Sequence, residues 1–150
     1  MSKEGINIVN RRARFEYELI DEYTAGIKLQ GTEIKSIRNG KASLGEAYGM
    51  FILDELWIRD MHIAEYKYGS YANHEPKRPR KLLLNRHELK KIQKRLAEKG
   101  LTVVPTRLFI DDNGRAKLGI AVGRGKKKFD KRESIKRRED NRKMDRAMKR

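Results

Sequence analysis

The chain has 150 residues, no cysteine, and 37 Lys or Arg against 21 Asp or Glu, which gives a formal net charge of +16. This length suits one domain, the missing cysteines exclude disulfides and thiolate metal sites, and no apolar run approaches the roughly 18 residues of a membrane span. The start of the chain has no signal-peptide core, so we expect a cytoplasmic protein without a membrane partner. A basic excess this large indicates a polyanionic partner, and a nucleic acid before any other.

The first half of the chain is predicted to form strands and one short helix. Apolar and charged residues alternate from Arg14 onward, which predicts a strand, and Ala25-Gly26 allows a bend in it. The segment GTEIKSIRNG, residues 31–40, predicts a helix that stops at its Asn-Gly pair. Residues 50–63 predict a hairpin that turns at residues 54–55.

A loop and a capped helix are predicted next. Residues 66–80 contain glycine, asparagine and two prolines, which favour a loop. In the following segment Asn85 can cap a helix, with Glu88 three residues later and an apolar face on one side. We expect this helix to end at Gly100.

The last strands are predicted to form a second hairpin. Residues 101–123 contain two apolar runs on either side of Asn113-Gly114, a pair that suits the positive φ angles of a tight hairpin turn. Pro105 predicts that its strand lies at an edge or carries a bulge, because proline cannot donate to a ladder.

These elements predict a mainly β fold. Strand pairs with one helix early and another in the middle indicate an OB-fold-like antiparallel β-barrel with two or three helices, over residues 1–124. Residues 125–150 hold 13 basic and 5 acidic residues and are expected to form a basic C-terminal tail, disordered when free. Met144, Ala147 and Met148 would share one face of a helix, so the tail is interpreted as a latent helix that forms on RNA.

The sequence gives little support for catalysis. His62, His74 and His87 lack metal-ligand spacing, so we expect no metal site, no cofactor and no catalytic residue. The segment GRGKKK lacks the spacing of a phosphate-binding loop. An enzyme is therefore unsupported, although a catalytic arrangement of distant residues would be invisible at this level.

Several segments favour RNA binding. Three arginines lie in Asn10–Arg14, and further basic clusters occupy Lys77–Lys81 and Arg124–Lys128. Tyr66, Tyr68 and Tyr71 alternate with Lys67. These rings could stack on unpaired bases, but we favour packing over the end of the barrel.

Four stretches resemble one known family. NRRARFEY, IKLQGTEIKSIRNGKAS, RKLLLNRHEL and GIAVGRGKKKFDKRE occur in the order and spacing of the SsrA-binding protein family. The resemblance implies an OB-like barrel that binds the tRNA-like domain of tmRNA. With elongation factor Tu and GTP, acting through alanyl-tmRNA, such a protein helps to deliver tmRNA to stalled ribosomes. The resemblance further implies that peptide tagging and ribosome release follow, and that the protein is a binding factor.

The resemblance also implies site residues. Leu83, Asn85 and Lys117 match the tmRNA-facing surface, and charge adds the arginines near the first strand. The predicted RNA-binding set is Asn10, Arg11, Arg14, Lys81, Leu83, Asn85, Lys117, Arg124 and Lys126. The predicted ribosome-binding tail set, directed at the small-subunit decoding site and mRNA channel, is Lys127, Lys128, Phe129, Asp130, Lys131, Arg132, Met144 and Met148.

Three positions need separate treatment. Many members of the family have His where this chain has Phe129, so a stacking role survives there but a titrating ring does not. Several relatives carry an acidic residue at the position of Thr24, to which we assign no RNA contact. Glu33 matches the family but could equally cap its own helix.

Two other classes of protein remain open. One is a ribosomal or ribosome-assembly protein with an OB barrel and a tail that threads into ribosomal RNA. The other is an RNA-processing enzyme.

Overall fold

The computed structural model describes residues 5–126 and Arg142. In these residues the helices are α1 (Arg11–Glu16), α2 (Gly31–Arg38) and α3 (Arg86–Leu96), and a short 3-10 turn covers Ser70–Ala72. The strands are β1 (Asn7–Val9), β2 (Tyr17–Ile27), β3 (Ala42–Ser43), β4 (Tyr48–Ile52), β5 (Glu55–Arg59), β6 (His62–Ile63), β7 (Arg80–Leu83), β8 (Leu101–Ile110) and β9 (Ala116–Gly125).

Six of the strands close into a barrel. The order β8-β4-β5-β7-β2-β9 returns to β8 through the β8–β9 pairing, and every pairing in this ring is antiparallel. β1 extends the sheet beside β8, while β3 and β6 form a separate two-stranded ladder. The predicted mainly β, OB-like barrel with three helices is confirmed.

The barrel interior is apolar, and two helices pack against it. α2 contributes Ile37, and α3 contributes Leu89 and Ile92. The strand residues of the same buried cluster are Ala25, Ile27, Leu56, Ile58, Ile63, Leu82, Val103, Leu108, Ala116, Leu118, Ile120 and Val122. Burial of these side chains provides the main driving force for folding.

Both predicted hairpins are present. In the β8–β9 turn, the Asp111 carboxylate accepts from the backbone N–H groups of Asn113 and Arg115, and Gly114 has a φ of 78°. The register shifts next to Pro105, which confirms the predicted bulge. The β4–β5 turn is one residue earlier than expected, at residues 53–54, because both of these residues adopt the positive φ that a two-residue hairpin requires.

The first strand begins later than the alternation predicted. Arg11–Glu16 is helical because the Asn10 side chain caps α1 by accepting from the Ala13 N–H at 3.3 Å. At residues 25–26, where the sequence allows a bend, β2 pairs with β9 without a register shift. The irregularity of β2 lies between Leu19 and Asp21 instead.

β7 is the strand that closes the ring between β5 and β2, although the sequence indicated only a junction between loop and helix at this place. It has four residues and follows Pro79, so it carries too little periodicity to be recognised. The helix that follows has the predicted cap, with Asn85 and Glu88 forming a capping box. It ends at Leu96, before Gly100.

The barrel extends slightly beyond residue 124. β9 continues to Gly125, and the backbone N–H of Lys126 donates to the Glu16 carbonyl at 2.8 Å. The boundary expected between residues 124 and 125 therefore lies inside the last strand. Apart from Arg142, the remainder of the predicted tail lies outside the described residues.

Candidate RNA-binding surface

An open groove crosses three adjacent strands at one end of the barrel. Leu83 of β7 is opposite Gly26 of β2, and Gly26 is opposite Lys117 of β9. The groove has a volume of about 380 Å³. Its lining residues are Gly26, Ile27, Leu29, Gln30, Gly31, Ile34, Leu83, Arg115, Ala116 and Lys117. The register thus brings together two residues, Leu83 and Lys117, that the sequence analysis assigned to RNA.

Because Gly26 has no side chain, the centre of the groove is open. A Cβ atom at this position would lie 3.2 Å from the Cβ of Leu83, closer than side chains normally approach. Leu83 remains 51% exposed although it is a large apolar residue. The groove therefore offers an apolar surface beside Leu83 and basic side chains at Arg115 and Lys117.

A buried ion cluster fixes the helix at the edge of this groove. Glu33 of α2 is fully buried and pairs with Arg78 at 2.6 Å and with the buried Arg80. Arg80 also donates to the carbonyls of Met61 and Pro76. The cluster thereby ties α2 to the segment that leads into β7.

The charge state of Glu33 follows from these contacts. Burial alone would raise its pKa, but hydrogen bonds from Arg78, from the backbone N–H of Gln30 and from Arg80 hold the pKa below the ordinary 4.5. The bond from Gln30, at 2.8 Å, also makes Glu33 a cap of its own helix. The capping role considered for Glu33 is therefore confirmed, and its ion pairs are additional to it.

A second basic region lies at the opposite end of β2 and β9. Tyr17 of β2 pairs with Gly125, and α1 packs beside this end of the barrel. Arg11, Arg14 and Arg124 are exposed here, and Lys126 donates from Nζ to the Arg14 carbonyl at 3.3 Å. Lys117 and Arg124 are about 23 Å apart along the strand, at ~3.3 Å per residue. The predicted RNA-binding residues therefore form two separate groups.

Asn10 has an internal role next to this second region. Its side chain is buried, and Nδ2 donates to the Pro105 carbonyl at 2.8 Å while Oδ1 caps α1. With these bonds in place, Asn10 positions the helix that carries Arg11 and Arg14. Arg14 is itself paired with Glu22 at 3.3 Å on the exposed surface.

Two further predicted residues lie near the first groove without lining it. Lys81 is in β7 with its Nζ 4.0 Å from Glu55. Asn85 is exposed, and its Oδ1 accepts from the Glu88 N–H at 2.8 Å, so the side chain caps α3. An RNA contact of Asn85 therefore has to form while its Oδ1 still caps α3.

Sequence reasoning missed Gly26, Arg115 and the residues from the start of α2 that line the groove. Their selection depends on which strands are neighbours, and no local pattern carries that information. The expected packing of the tyrosines over the barrel is wrong for Tyr68 and Tyr71, which are 75% and 98% exposed.

A metal site and a membrane-spanning helix each place requirements on the described residues. Among residues 5–126 and Arg142, no group of three or more His, Cys, Asp or Glu side chains is placed to hold a metal ion. In that same part, no helix is long and apolar enough to cross a membrane. The predicted tail residues lie outside it, namely Lys127, Lys128, Phe129, Asp130, Lys131, Arg132, Met144 and Met148.

Comparison with known proteins gives consistent matches along the whole chain. The family described as SmpB protein matches residues 7–150. SsrA-binding proteins of Phocaeicola vulgatus and Bacteroides thetaiotaomicron are each 58% identical over 150 residues, covering 100% of both chains. The SsrA-binding protein of Trichodesmium erythraeum is 48% identical over 151 residues, covering 99% of this chain and 96% of the relative.

A solved structure is similar as well. A chain from work described as "tmRNA-SmpB: a journey to the center of the bacterial ribosome" matches with a TM-score of 0.71 and 41% identity. The match covers 87% of this chain and 94% of that chain.

Proposed function

The chain belongs to the SmpB protein family, and on that basis we propose that it binds the tRNA-like domain of tmRNA and acts in trans-translation as a binding factor rather than an enzyme. The curated relatives are named for binding SsrA, and the similar solved chain is described together with tmRNA and the bacterial ribosome. The formal charge of +16 suits a polyanionic partner.

The groove at Leu83, Gly26 and Lys117 is the observation that carries this proposal. Lys117 supplies a charge for a phosphate, and the exposed face of Leu83 supplies an apolar contact for a base or ribose. Gly26 leaves the space between them open. A groove that pairs one apolar wall with a basic rim fits an RNA loop better than a regular duplex, because loop bases are free to enter it.

The second basic region has a different role in the proposal. Arg11, Arg14, Arg124 and Lys126 surround the point where the tail leaves the barrel. We assign to them phosphate contacts that orient the tail. RNA bound at both ends of β9 would then fix the protein in one orientation.

The tail has the last role in the proposed function. The sequence supports this role. Residues 127–150 carry the same kind of basic excess, with Met144 and Met148 four residues apart. We propose that Lys127, Lys128, Phe129, Asp130, Lys131 and Arg132 lie near the small-subunit decoding site, and that the tail beyond them enters the mRNA channel when it is empty. Elongation factor Tu with GTP would act on the same complex through alanyl-tmRNA.

A salt titration of binding tests the groove. Lys117→Ala should weaken binding of the full chain to the tRNA-like domain and reduce the slope of log K against log salt by about one, as one lost phosphate contact requires. Lys90→Ala is the matched control, since Lys90 is an exposed lysine of α3 outside the groove lining. An unchanged slope for Lys117→Ala would remove this residue from the RNA surface.

The identity of the RNA is tested by sequencing what co-purifies with the protein from bacterial lysate. Dominance of one tmRNA species is the expected result. A bulk ribosomal RNA profile would favour the alternative of a ribosomal or ribosome-assembly protein, for which the second basic region and the tail would be sufficient.

A further inference from the structure

The loop between β6 and β7 is held firmly at its base. Asn73 bonds to Tyr66 twice, with Oδ1 accepting from the backbone N–H at 3.0 Å and Nδ2 donating to the carbonyl at 2.7 Å. Buried His74 is bonded to the Ile63 carbonyl at 2.9 Å and to the Thr32 hydroxyl at 2.8 Å. The loop from Tyr66 to Asn73 is therefore attached to both β6 and α2.

This rigid loop exposes aromatic rings. Tyr71 is 98% exposed and Tyr68 is 75% exposed. Tyr66 meets the edge of Tyr68 with ring centroids 5.7 Å apart and an angle of 71°. Lys35 lies 5.4 Å from the centroid of Tyr66, and Lys67 lies 5.6 Å from that of Tyr68. Tyr66 and Tyr68 thus each have a lysine ammonium near the ring and meet each other edge to face, and Tyr71 follows three residues after Tyr68 in the chain.

Exposed rings of this kind do little for the stability of the barrel, because they bury little apolar surface. They suit a ligand with a flat π-face, since a ring on a fixed loop loses little conformational freedom on binding. Unpaired nucleic acid bases are such ligands, and their stacking on aromatic side chains tolerates any sequence.

Net charge does not explain why RNA would bind at the exposed tyrosines. Between residues 65 and 77 two glutamates, Glu65 and Glu75, match two lysines, Lys67 and Lys77, and Lys35 of α2 lies beside this stretch. A contact here should therefore depend on ring stacking and little on salt, unlike a contact at Lys117.

The loop adjoins the groove through α2. Gly31 and Ile34 line the groove, while the next residues of the helix, Thr32 and Lys35, contact the loop through His74 and Tyr66. Residues that differ by one position lie on adjacent helix faces, 100° apart. One RNA strand leaving the groove can thus cross α2 and reach the tyrosines.

We propose that Tyr68 and Tyr71 form a stacking platform for unpaired RNA bases, a second contact next to the groove. The assignment of its natural ligand to tmRNA rests on the proposed function. The stacking of bases on the tyrosines does not rest on the proposed function. Measurements with different RNAs therefore test the platform and the proposed function separately.

Binding of the full chain is measured with three RNAs, namely the tRNA-like domain, a short unstructured oligonucleotide and a blunt duplex. Tyr68→Ala and Tyr71→Ala should each lower affinity for the unstructured oligonucleotide on the order of tenfold, with an unchanged salt slope and little effect on the duplex. Tyr68→Phe and Tyr71→Phe should retain affinity, because the ring face remains. Cross-linking with 4-thiouridine RNA should map to the peptide that contains both tyrosines.

The outcomes separate the two proposals. If the tRNA-like domain binds but both alanine variants bind every RNA within twofold of the parent and no cross-link maps to the loop, the platform is overturned and the proposed function stands. If the tRNA-like domain does not bind while the oligonucleotide binds in a tyrosine-dependent way, the platform stands and the proposed function falls. Unchanged RNA binding with loss of a protein partner would also overturn the platform, in favour of a protein contact.

Discussion

At the scale of single residues, the Glu33 cluster is the feature with the largest expected energy. Glu33→Gln would leave the buried Arg80 without its carboxylate, and breaking a buried pair in this way costs about 3–5 kcal/mol. Urea unfolding would measure the loss. The control is Glu46→Gln, which removes an exposed partner of Arg12 and should cost far less, because solvent screens an exposed pair. Equal costs for both variants would contradict the structural role of Glu33.

The same residue predicts a pH dependence. Because the pKa of Glu33 is lower in the folded chain than the ordinary 4.5, its pairing stabilises the protein above about pH 4.5 and is lost as the pH falls through the folded value. The parent protein should lose stability on acidification in this range, and Glu33→Gln should lack that part of the loss. Urea midpoints from neutral pH down to about pH 3 test this expectation. Parallel curves for the two proteins would show that another carboxylate is responsible.

The sequence could indicate that Glu33 caps its helix, because the capping partner is three residues away. Its ion pairs could not be predicted, since Arg78 and Arg80 lie 45 and 47 residues further along the chain. The exposure of Tyr68 and Tyr71 was not predicted for the same reason. The loop that carries Tyr68 and Tyr71 is attached through His74 to Thr32, which lies 42 residues earlier in the chain.

At the scale of elements, the role of Asn85 as the N-cap of α3 has to be distinguished from its proposed role in RNA binding. Asn85→Ala should destabilise the protein by about 1 kcal/mol, because α3 loses its N-cap. Asn85→Asp keeps a capping oxygen and should retain stability, but it adds a negative charge beside the proposed RNA surface. Weaker tmRNA binding by the aspartate variant with an unchanged melting temperature is the expected result. Full affinity with the aspartate would mean that Asn85 serves the helix alone.

The groove itself makes an element-scale prediction. Gly26→Ala and Gly26→Val should fill the space beside Leu83 in two steps, so affinity for the tRNA-like domain should fall in that order. Thr24→Val is the control, since it places a β-branched residue at an exposed position of the same strand outside the groove lining. Melting temperatures would establish that the variants are folded. Equal affinity of both Gly26 variants and the parent would contradict RNA entry at this point.

Elements that depend on local contacts were predictable, and those set by distant partners were not. α3 and the β8–β9 hairpin carry their own caps and turn residues, so both were found. β7 pairs with β5 and β2, which are distant in the sequence, and the Asn10 side chain that caps α1 is itself held by the Pro105 carbonyl, 95 residues further along the chain. The groove likewise arises from the register of three strands, which explains why its two family-matched residues were found while its glycine was not.

At the scale of the whole molecule, the basic charge is distributed between a closed barrel and a tail. Removal of the tail separates these parts and should be made after Lys126, because this residue still bonds to Glu16 and Arg14. The truncated protein should keep its melting temperature and its affinity for the tRNA-like domain but fail to support peptide tagging of a stalled nascent chain. Loss of tmRNA binding on truncation would place the tail within the first RNA contact.

Charge and helical pattern in the tail are separable by matched substitutions. Met144→Glu with Met148→Glu removes two apolar residues four positions apart and adds two negative charges, so it disturbs both RNA attraction and the apolar face of a bound helix. Arg146→Gln with Arg150→Gln lowers the net charge by the same two units at positions on the opposite face of that helix and removes no apolar residue. With tmRNA in excess, the methionine pair should reduce tagging much more than the control pair does. If both pairs reduce tagging equally, net charge alone explains the tail, and the interpretation of residues 127–150 as a latent helix is wrong.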